Sequence, residues 1–322
     1  MRVLFAGSPE IAVPALEAIA ASHHEVAAVL TNPDSKVGRG LKVEQTPVAS
    51  AARHIFGERV PIFTFETLKA EARSGISACK PDILVSFAYG KIFGPKFMAL
   101  FPKGGINVHP SLLPRWRGSS PIQHAILAMD SETGISIQTI APEMDTGDLL
   151  LVSRIPLGGR ETARTLSELC ARLAAPLVVE VLDQIEHGTA KAEPQIGTPT
   201  YCSKISKEDG LIDWTRASRE IDARIRAFDP WPGSYTFLRG MRLSILEAEP
   251  FDDFSPSGVP GHVTNVQPGT IIAVVAPKGM VVQTGQGFLA VKQLQLATRK
   301  ATGYREFANG MRDLIGTILG LL

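Results

Sequence analysis

At 322 residues the chain exceeds the length at which one hydrophobic core usually stops growing, so two domains are expected rather than one. Hydrophobic residues make up 44% and charged residues 20%, a balance that excludes a mainly disordered chain. Net charge is +1 and hardly differs between the halves, so bulk charge does not announce a nucleic-acid binder, although local clusters of basic residues still can. Cys79, Cys170 and Cys202 are odd in number and widely spaced, which fits neither a disulfide framework nor a zinc site. The opening apolar run stops at Gly7, too early for a signal peptide, and no stretch approaches a membrane span. A reducing, cytoplasmic setting is expected.

RVLFAG at the start reads as a strand closed by Gly7, followed by the helical spacing of Ile11, Val13, Leu16 and Ile19. EVAAVLT is a second strand. A loop containing glycines and lysines leads to helices near Pro47 to His54 and Leu68 to Ser77, and DILVSFA, GGINVHP and GISIQTI continue the series of strands. Val- and Ile-rich strands alternating with helices imply βαβ units in a doubly wound, mostly parallel sheet. The first domain is expected over 1–187, ending with a long helix from about Ala163 to His187. Residues 188–207 hold Gly188, Pro194, Gly197 and Pro199 with little periodicity and read as a linker. The remainder, 208–322, has a helix near Ser218 to Phe228 and then short apolar runs such as MRLSILEAE, GTIIAVVA, GMVVQT and GFLAVKQLQL. Their spacing is that of a small β-barrel of OB-like type.

The segment from Gly104 to Gln123, GGINVHPSLLPRWRGSSPIQ, carries the most chemistry. Side chains two apart in a strand share a face, so Asn107 and His109 point the same way, and Pro110 stops the strand. Open α/β sheets place ligands at the carboxyl ends of their parallel strands. A lone Asn-x-His pair more often caps a strand end than performs chemistry. Downstream, SIQTIAPEMDTGDLL offers another strand, a loop with Asp145, and a return strand. A carboxylate in that loop, placed beside His109, would favour the charged imidazolium, whereas Asp145 alone suits an ordinary turn.

Asn107, the run His109-Pro110-Ser111-Leu112-Leu113-Pro114 and Asp145 in MDTGD together resemble the signature of the folate-dependent formyltransferases. RWRGSSPIQ, FAGSPEIAVPAL, SKEDGLIDW and RIRAFDPWPGSY resemble the methionyl-tRNA branch of that superfamily, and the likeness runs in order to GYREFANGMR. The resemblance implies a Rossmann-like formyltransferase domain followed by an OB-like module that assists tRNA binding. It implies transfer of a formyl group from 10-formyltetrahydrofolate to the α-amino group of methionyl initiator tRNA. Ser111, Leu112, Leu113 and Pro114 would line the folate site, with Phe87, Ala88, Tyr89 and Gly90 as further candidates unless these are plain core. Catalysis would fall to Asn107, His109 and Asp145, without a metal, a covalent intermediate or an obligate protein partner.

In that family the basic loop after the second strand enters the tRNA acceptor stem, which gives Arg39 a tRNA role by its place in GRG. Lys36 and Lys42 flank it. Here Ser35, Lys36, Val37 and Leu41 depart from the usual pattern, which puts the fine contacts in doubt. Lys207, Arg299, Lys300 and Arg305 are further candidates for phosphate contact, and any of these cations also reads as ordinary solvated charge. An amino-sugar formyltransferase shares the Asn, His, Asp and SLLP features but not the insertion loop. A nicotinamide-dependent dehydrogenase is disfavoured because Gly7 stands without GxGxxG. A noncatalytic RNA-binding protein would not require Asn107, His109 and Asp145 together.

Overall fold

A computed structural model describes residues 1–37, 42–255 and 266–320. The chain forms two compact units, one from Met1–Ile122, Ser131–Leu157 and Thr165–Ser203, the other from Gln123–Asp130, Gly158–Arg164 and Lys204–Leu322. In chain order the elements before residue 204 begin with β1 (Arg2–Gly7), α1 (Val13–Ala21), β2 (Glu25–Leu30), β3 (Ser35–Val37) and β4 (Lys42–Glu44). Next come α2 (Pro47–Phe56), β5 (Ile62–Phe63), α3 (Ala70–Ala78), β6 (Ile83–Phe87), α4 (Pro95–Met98) and β7 (Gly105–His109). The series continues with β8 (Arg117–Gly118), α5 (Pro121–Leu127), β9 (Glu132–Thr139), β10 (Leu149–Pro156), α6 (Ala163–Glu186) and β11 (Tyr201–Cys202).

Among the described residues the main sheet has seven strands in the order β10-β9-β7-β6-β1-β2-β5. From β5 to β7 neighbours are parallel, while β9 runs antiparallel to both β7 and β10. Central strands β1, β2 and β6 are buried along nearly their whole length, as Val/Leu/Ile-rich strands covered on both faces must be. The chain winds outward from β1 through β2 to β5, then returns to the other side of β1 as β6. The winding therefore reverses between β1 and β6, and a crevice opens at their carboxyl ends. Gly7 permits that junction, because an added Cβ there would lie 2.9 Å from the Phe87 carbonyl oxygen. Helix α2 shows how local sequence sets the flanking elements: Thr46 Oγ1 accepts from Ala49 N at 3.1 Å, Pro47 opens the first turn, and Gly57 at φ 59° closes the end.

Where the sequence showed only a loop rich in glycine and lysine, β3 and β4 pair antiparallel, Ser35 opposite Glu44. Arg39 lies outside the described residues; Lys36 and Lys42 stand in the two strands. The aperiodic segment 188–207 is held by backbone pairing: Glu193 bridges Leu149, and β11 runs parallel to β8.

The second unit contains α7 (Ser218–Ala227), β12 (Ser234–Leu238), β13 (Met241–Pro250), β14 (Ile271–Val275), β15 (Gly279–Gln283), β16 (Phe288–Leu296), β17 (Thr302–Gly303) and α8 (Tyr304–Asn309). Its antiparallel sheet has the order β12-β13-β16-β15-β14, with β17 beside β16. The final segment links the two outer strands. Gly320 N donates to Phe237 O at 2.9 Å, and Gly316 N donates to Ile271 O at 2.8 Å. The small barrel expected of these runs is thereby closed around Trp214, Leu243, Ile271, Val282, Leu294 and Phe307.

Candidate active site

Strand register builds the site. Ser86 of β6 stands opposite Asn107 of β7, and Asn107 opposite Gln138 of β9, so three polar side chains form a row across the sheet. One step further along β7, beyond Val108, His109 stands opposite Ser136. The loop between β9 and β10 then brings Asp145 over this row. Its Oδ1 accepts from Gln138 Nε2 at 3.0 Å and from Asn107 Nδ2 at 3.3 Å, while Oδ2 accepts from the Gly118 amide at 2.9 Å. Three donors thus fix the carboxylate's position.

Two side chains the sequence did not single out complete the frame. Gln195 Nε2 donates to the carbonyls of Asp145 and Gly147 at 2.9 and 2.8 Å, and its Oε1 accepts from both Nε and Nη2 of Arg117. Gln138 carried a faint signal, since Ser136 and Gln138 alternate with buried isoleucines in GISIQTI. Gln195 carried none, because it lies in an aperiodic segment. Close backbone approaches matter as well: a Cβ on Gly118 would sit 2.2 Å from Cys202 O. Ala88, Trp116 and Asp145 all adopt left-handed backbone, at φ 52°, 62° and 56°. Such conformations in non-glycine residues cost on the order of 1 kcal/mol each and gather at functional sites.

His109 is almost wholly buried, 4% exposed. Its Nε2 lies 2.8 Å from the Trp116 carbonyl, an acceptor only, so Nε2 carries a proton and Nδ1 is the nitrogen that titrates. Nδ1 stands 3.5 Å from Asp145 Oδ1, within ion-pair reach. Burial lowers the imidazole's pKa below 6.5, and this outweighs the opposing influences of the Asp145 charge and the Trp116 carbonyl. Asp145 acts in the expected direction, but desolvation is the larger influence and works against the imidazolium.

This has a consequence for stability. His24 is shifted in the same direction, again mainly by burial. Below about pH 6.5 the unfolded chain binds protons at these two positions more readily than the folded chain does. The denaturant midpoint is therefore expected to fall as pH drops from 7.5 to 5.5, and to fall less in His109→Gln. A midpoint that rose on acidification would contradict the assignment.

Asn107, His109 and Asp145 share the lining of a cavity of about 450 Å³ with Ala88, Tyr89 and Gly90, at the crevice where the winding reverses. Tyr89 is 1% exposed, its hydroxyl has no hydrogen-bond partner among the described residues, and burial pushes its pKa up to about 12. Phe87 is instead core, and the run Ser111 to Pro114 does not line this cavity. Ser111 is fully buried and donates to Arg115 O at 2.6 Å. Leu113 N donates to Ser136 Oγ, which in turn donates to Ser111 O, and Leu112 packs against Gly134. In this arrangement the run braces the turn that carries Trp116 and Gly118. Lys207 is exposed, as are Arg299, Lys300 and Arg305.

Residues 1–182 match the family model described as formyl transferase, and residues 204–312 match formyl transferase, C-terminal domain. The chain is 45% identical over 321 residues, 98% of each chain, to methionyl-tRNA formyltransferase of Treponema denticola. It is 38% identical over 315 residues to methionyl-tRNA formyltransferase of Coxiella burnetii, covering 97% of this chain and 96% of that one. The chain belongs to the methionyl-tRNA formyltransferase family. Membership makes it a formyl-transferring enzyme. Among solved structures, an N-formyltransferase from Helicobacter canadensis in complex with folinic acid and dTDP-3-aminofucose superposes with TM-score 0.64 at 21% identity, over 90% of this chain and 98% of that one. That likeness bears on the fold alone. No helix among the described residues is long and apolar enough to cross a membrane.

Proposed function

We propose that this enzyme moves a formyl group from 10-formyltetrahydrofolate to the α-amino group of methionine on initiator tRNA, serving translation initiation, by direct attack through a tetrahedral intermediate. The observation that carries the proposal is the convergence of Asn107, His109 and Asp145 on one cavity at the sheet's switch point. The reduced folate occupies that cavity along Ala88, Tyr89 and Gly90. Ser111 to Pro114 act from behind by holding the wall. The formyl donor is a co-substrate, and the side chains supply the chemistry without a metal.

The methionine amine forms a C–N bond to the formyl carbon, and the formyl oxygen gathers negative charge. Asn107 Nδ2 has a second N–H beyond the one aimed at Asp145, and this donates to the oxyanion. His109 takes the amine proton at Nδ1. The imidazolium so formed is held between the Trp116 carbonyl and Asp145, which is where the carboxylate's charge contributes most. The bond between the formyl carbon and folate nitrogen then breaks, and His109 returns the proton to that nitrogen. A base that rests neutral and is stabilised once charged suits this sequence. Lys36, Arg39 and Lys42 of the basic stretch after β2, with Lys207, contact the tRNA, and the OB-like unit assists; Arg299, Lys300 and Arg305 supply further phosphate contacts.

Incubating purified protein with 10-formyltetrahydrofolate and charged initiator tRNA should yield formyl-methionine, while an amino-sugar nucleotide offered in its place should remain unmodified. Formylation of the sugar alone would overturn the choice of acceptor. Asp145→Asn is expected to fold, because Asn tolerates left-handed backbone as Asp does. It removes the charge that supports the imidazolium, so kcat should fall about a hundredfold with little change in folate affinity. An unaltered kcat under single-turnover conditions would return Asp145 to the status of a turn residue.

A further inference from the structure

At the opposite end of β2 from the cavity, two adjacent histidines meet two carboxylates from a distant helix. His23 and His24 lie between α1 and β2, and Asp183 and Glu186 occupy the last turns of α6. Three residues apart, the two acidic side chains share a helix face. One nitrogen or oxygen from each of the four lies within 4.8 Å of all the others. His23 Nε2 is 2.7 Å from Glu186 Oε2 and 3.7 Å from Asp183 Oδ1, and His24 Nε2 is 2.9 Å from Asp183 Oδ1. Four ligands around a tetrahedral ion at about 2.0–2.1 Å are separated by about 3.3 Å, so the three spacings of 2.7, 2.9 and 3.7 Å bracket what a bound ion needs.

The surroundings hold the donors in place. Ser22 Oγ donates to Ile19 O at 2.7 Å and accepts from His24 N at 3.1 Å, which fixes the turn. The Met1 amine donates to Glu186 Oε1 at 2.8 Å and lies 3.3 Å from His24 Nδ1. It therefore occupies Oε1 of Glu186 and leaves Oε2, which lies 2.7 Å from His23 Nε2 and 3.7 Å from His24 Nδ1, while His24 Nε2 faces Asp183. Outer contacts of this kind orient metal ligands. The His24 side chain is fully buried and that of His23 is 59% exposed, so the cluster has a rigid floor and an open side for entry.

We infer that His23, His24, Asp183 and Glu186 bind one divalent transition-metal ion and that the ion clamps the end of α6 to the turn before β2. Two imidazoles beside two carboxylates favour Zn²⁺ over hard cations such as Mg²⁺ and Ca²⁺, which select all-oxygen sites. The site is remote from the cavity, so the inference stands independently of the reaction assigned to it.

The test titrates metal-stripped full-length protein with Zn²⁺ by calorimetry in excess Mg²⁺, and with Co²⁺ by visible absorption. One equivalent per chain is expected, with tetrahedral Co²⁺ bands. His23→Ala and Asp183→Asn change exposed or half-exposed side chains and should keep the wild-type circular dichroism, yet each should weaken Zn²⁺ binding at least tenfold and abolish the Co²⁺ bands. Zn²⁺ should raise the melting temperature of the wild type and not of the double variant. Failure of the wild type to bind Zn²⁺, or binding weakened less than tenfold in both variants, would leave the cluster as an ion-pair network and overturn the inference.

Discussion

Asn107→Ala and His109→Ala should each lower kcat about a hundredfold or more, corresponding to about 3 kcal/mol of transition-state stabilisation for a lost oxyanion donor and a comparable factor for a lost proton carrier. The two losses should not simply add, because in the proposed mechanism the groups act on one tetrahedral species. Folding should survive in Asn107→Ala, since the partly buried amide gives up only a long contact to Asp145, 3.3 Å, and Asp145 keeps its bonds from Gln138 and Gly118. His109→Ala removes a buried ring and leaves the Trp116 carbonyl with the weaker Cys202 thiol contact at 3.3 Å, so its melting temperature should be measured beside its turnover. Wild-type single-turnover rates in either variant would remove the pair from the chemistry.

Gly147→Ala should be nearly as damaging although residue 147 carries no reactive group. A Cβ at this position would lie 1.7 Å from the Thr139 carbonyl oxygen. The close approach is also held by Thr139 N donating to Asp148 O at 2.9 Å and by Asp148 N donating to Thr139 Oγ1 at 2.9 Å. An added methyl must lift the loop by more than an ångström and carry Asp145 with it. Displacements of about 1 Å at a positioned group cost about a hundredfold in rate. Overpacking should also destabilise the protein by about 1–3 kcal/mol. Gly94→Ala is the matched control: its Cβ would meet nothing within 4 Å, and both turnover and stability should stay near wild type. Equal behaviour of the two variants would show that the loop does not hold the carboxylate.

How much of this was readable in the sequence follows from the range of each interaction. Alternation of buried strands and helices gave the parallel sheet, because the period of a strand is written in consecutive residues. Asn107 and His109 were legible for the same reason, their shared face following from period two and their position from Pro110. Asp145 was named through its motif; its bonds to Asn107, Gln138 and Gly118 depend on a left-handed turn that no local pattern specifies. Gln195 closes the frame from 50 residues beyond Asp145, in a segment with no periodicity. For His109 the charge partner Asp145 was legible from the motif, whereas full burial, which pushes the imidazole's pKa the other way, is a property of the packed site. The Ser111 to Pro114 run illustrates a related limit, since a residue's place in a motif does not say whether its side chain faces the cavity or braces it. For the basic loop, Arg39 falls outside the described residues, so its role rests on the family pattern.

Direct transfer of the formyl group within the Asn107, His109 and Asp145 site is what separates the proposed mechanism from a covalent route. Its most direct test is a single-turnover experiment with 10-formyltetrahydrofolate isotopically labelled in the formyl carbon, charged initiator tRNA and excess enzyme, quenched at successive times with protein and tRNA analysed separately. Direct transfer predicts label on the methionine amine, none on the protein at any time, and a rate about a hundredfold lower in Asn107→Ala. Label appearing on the protein before the tRNA, or never reaching the tRNA, would contradict it.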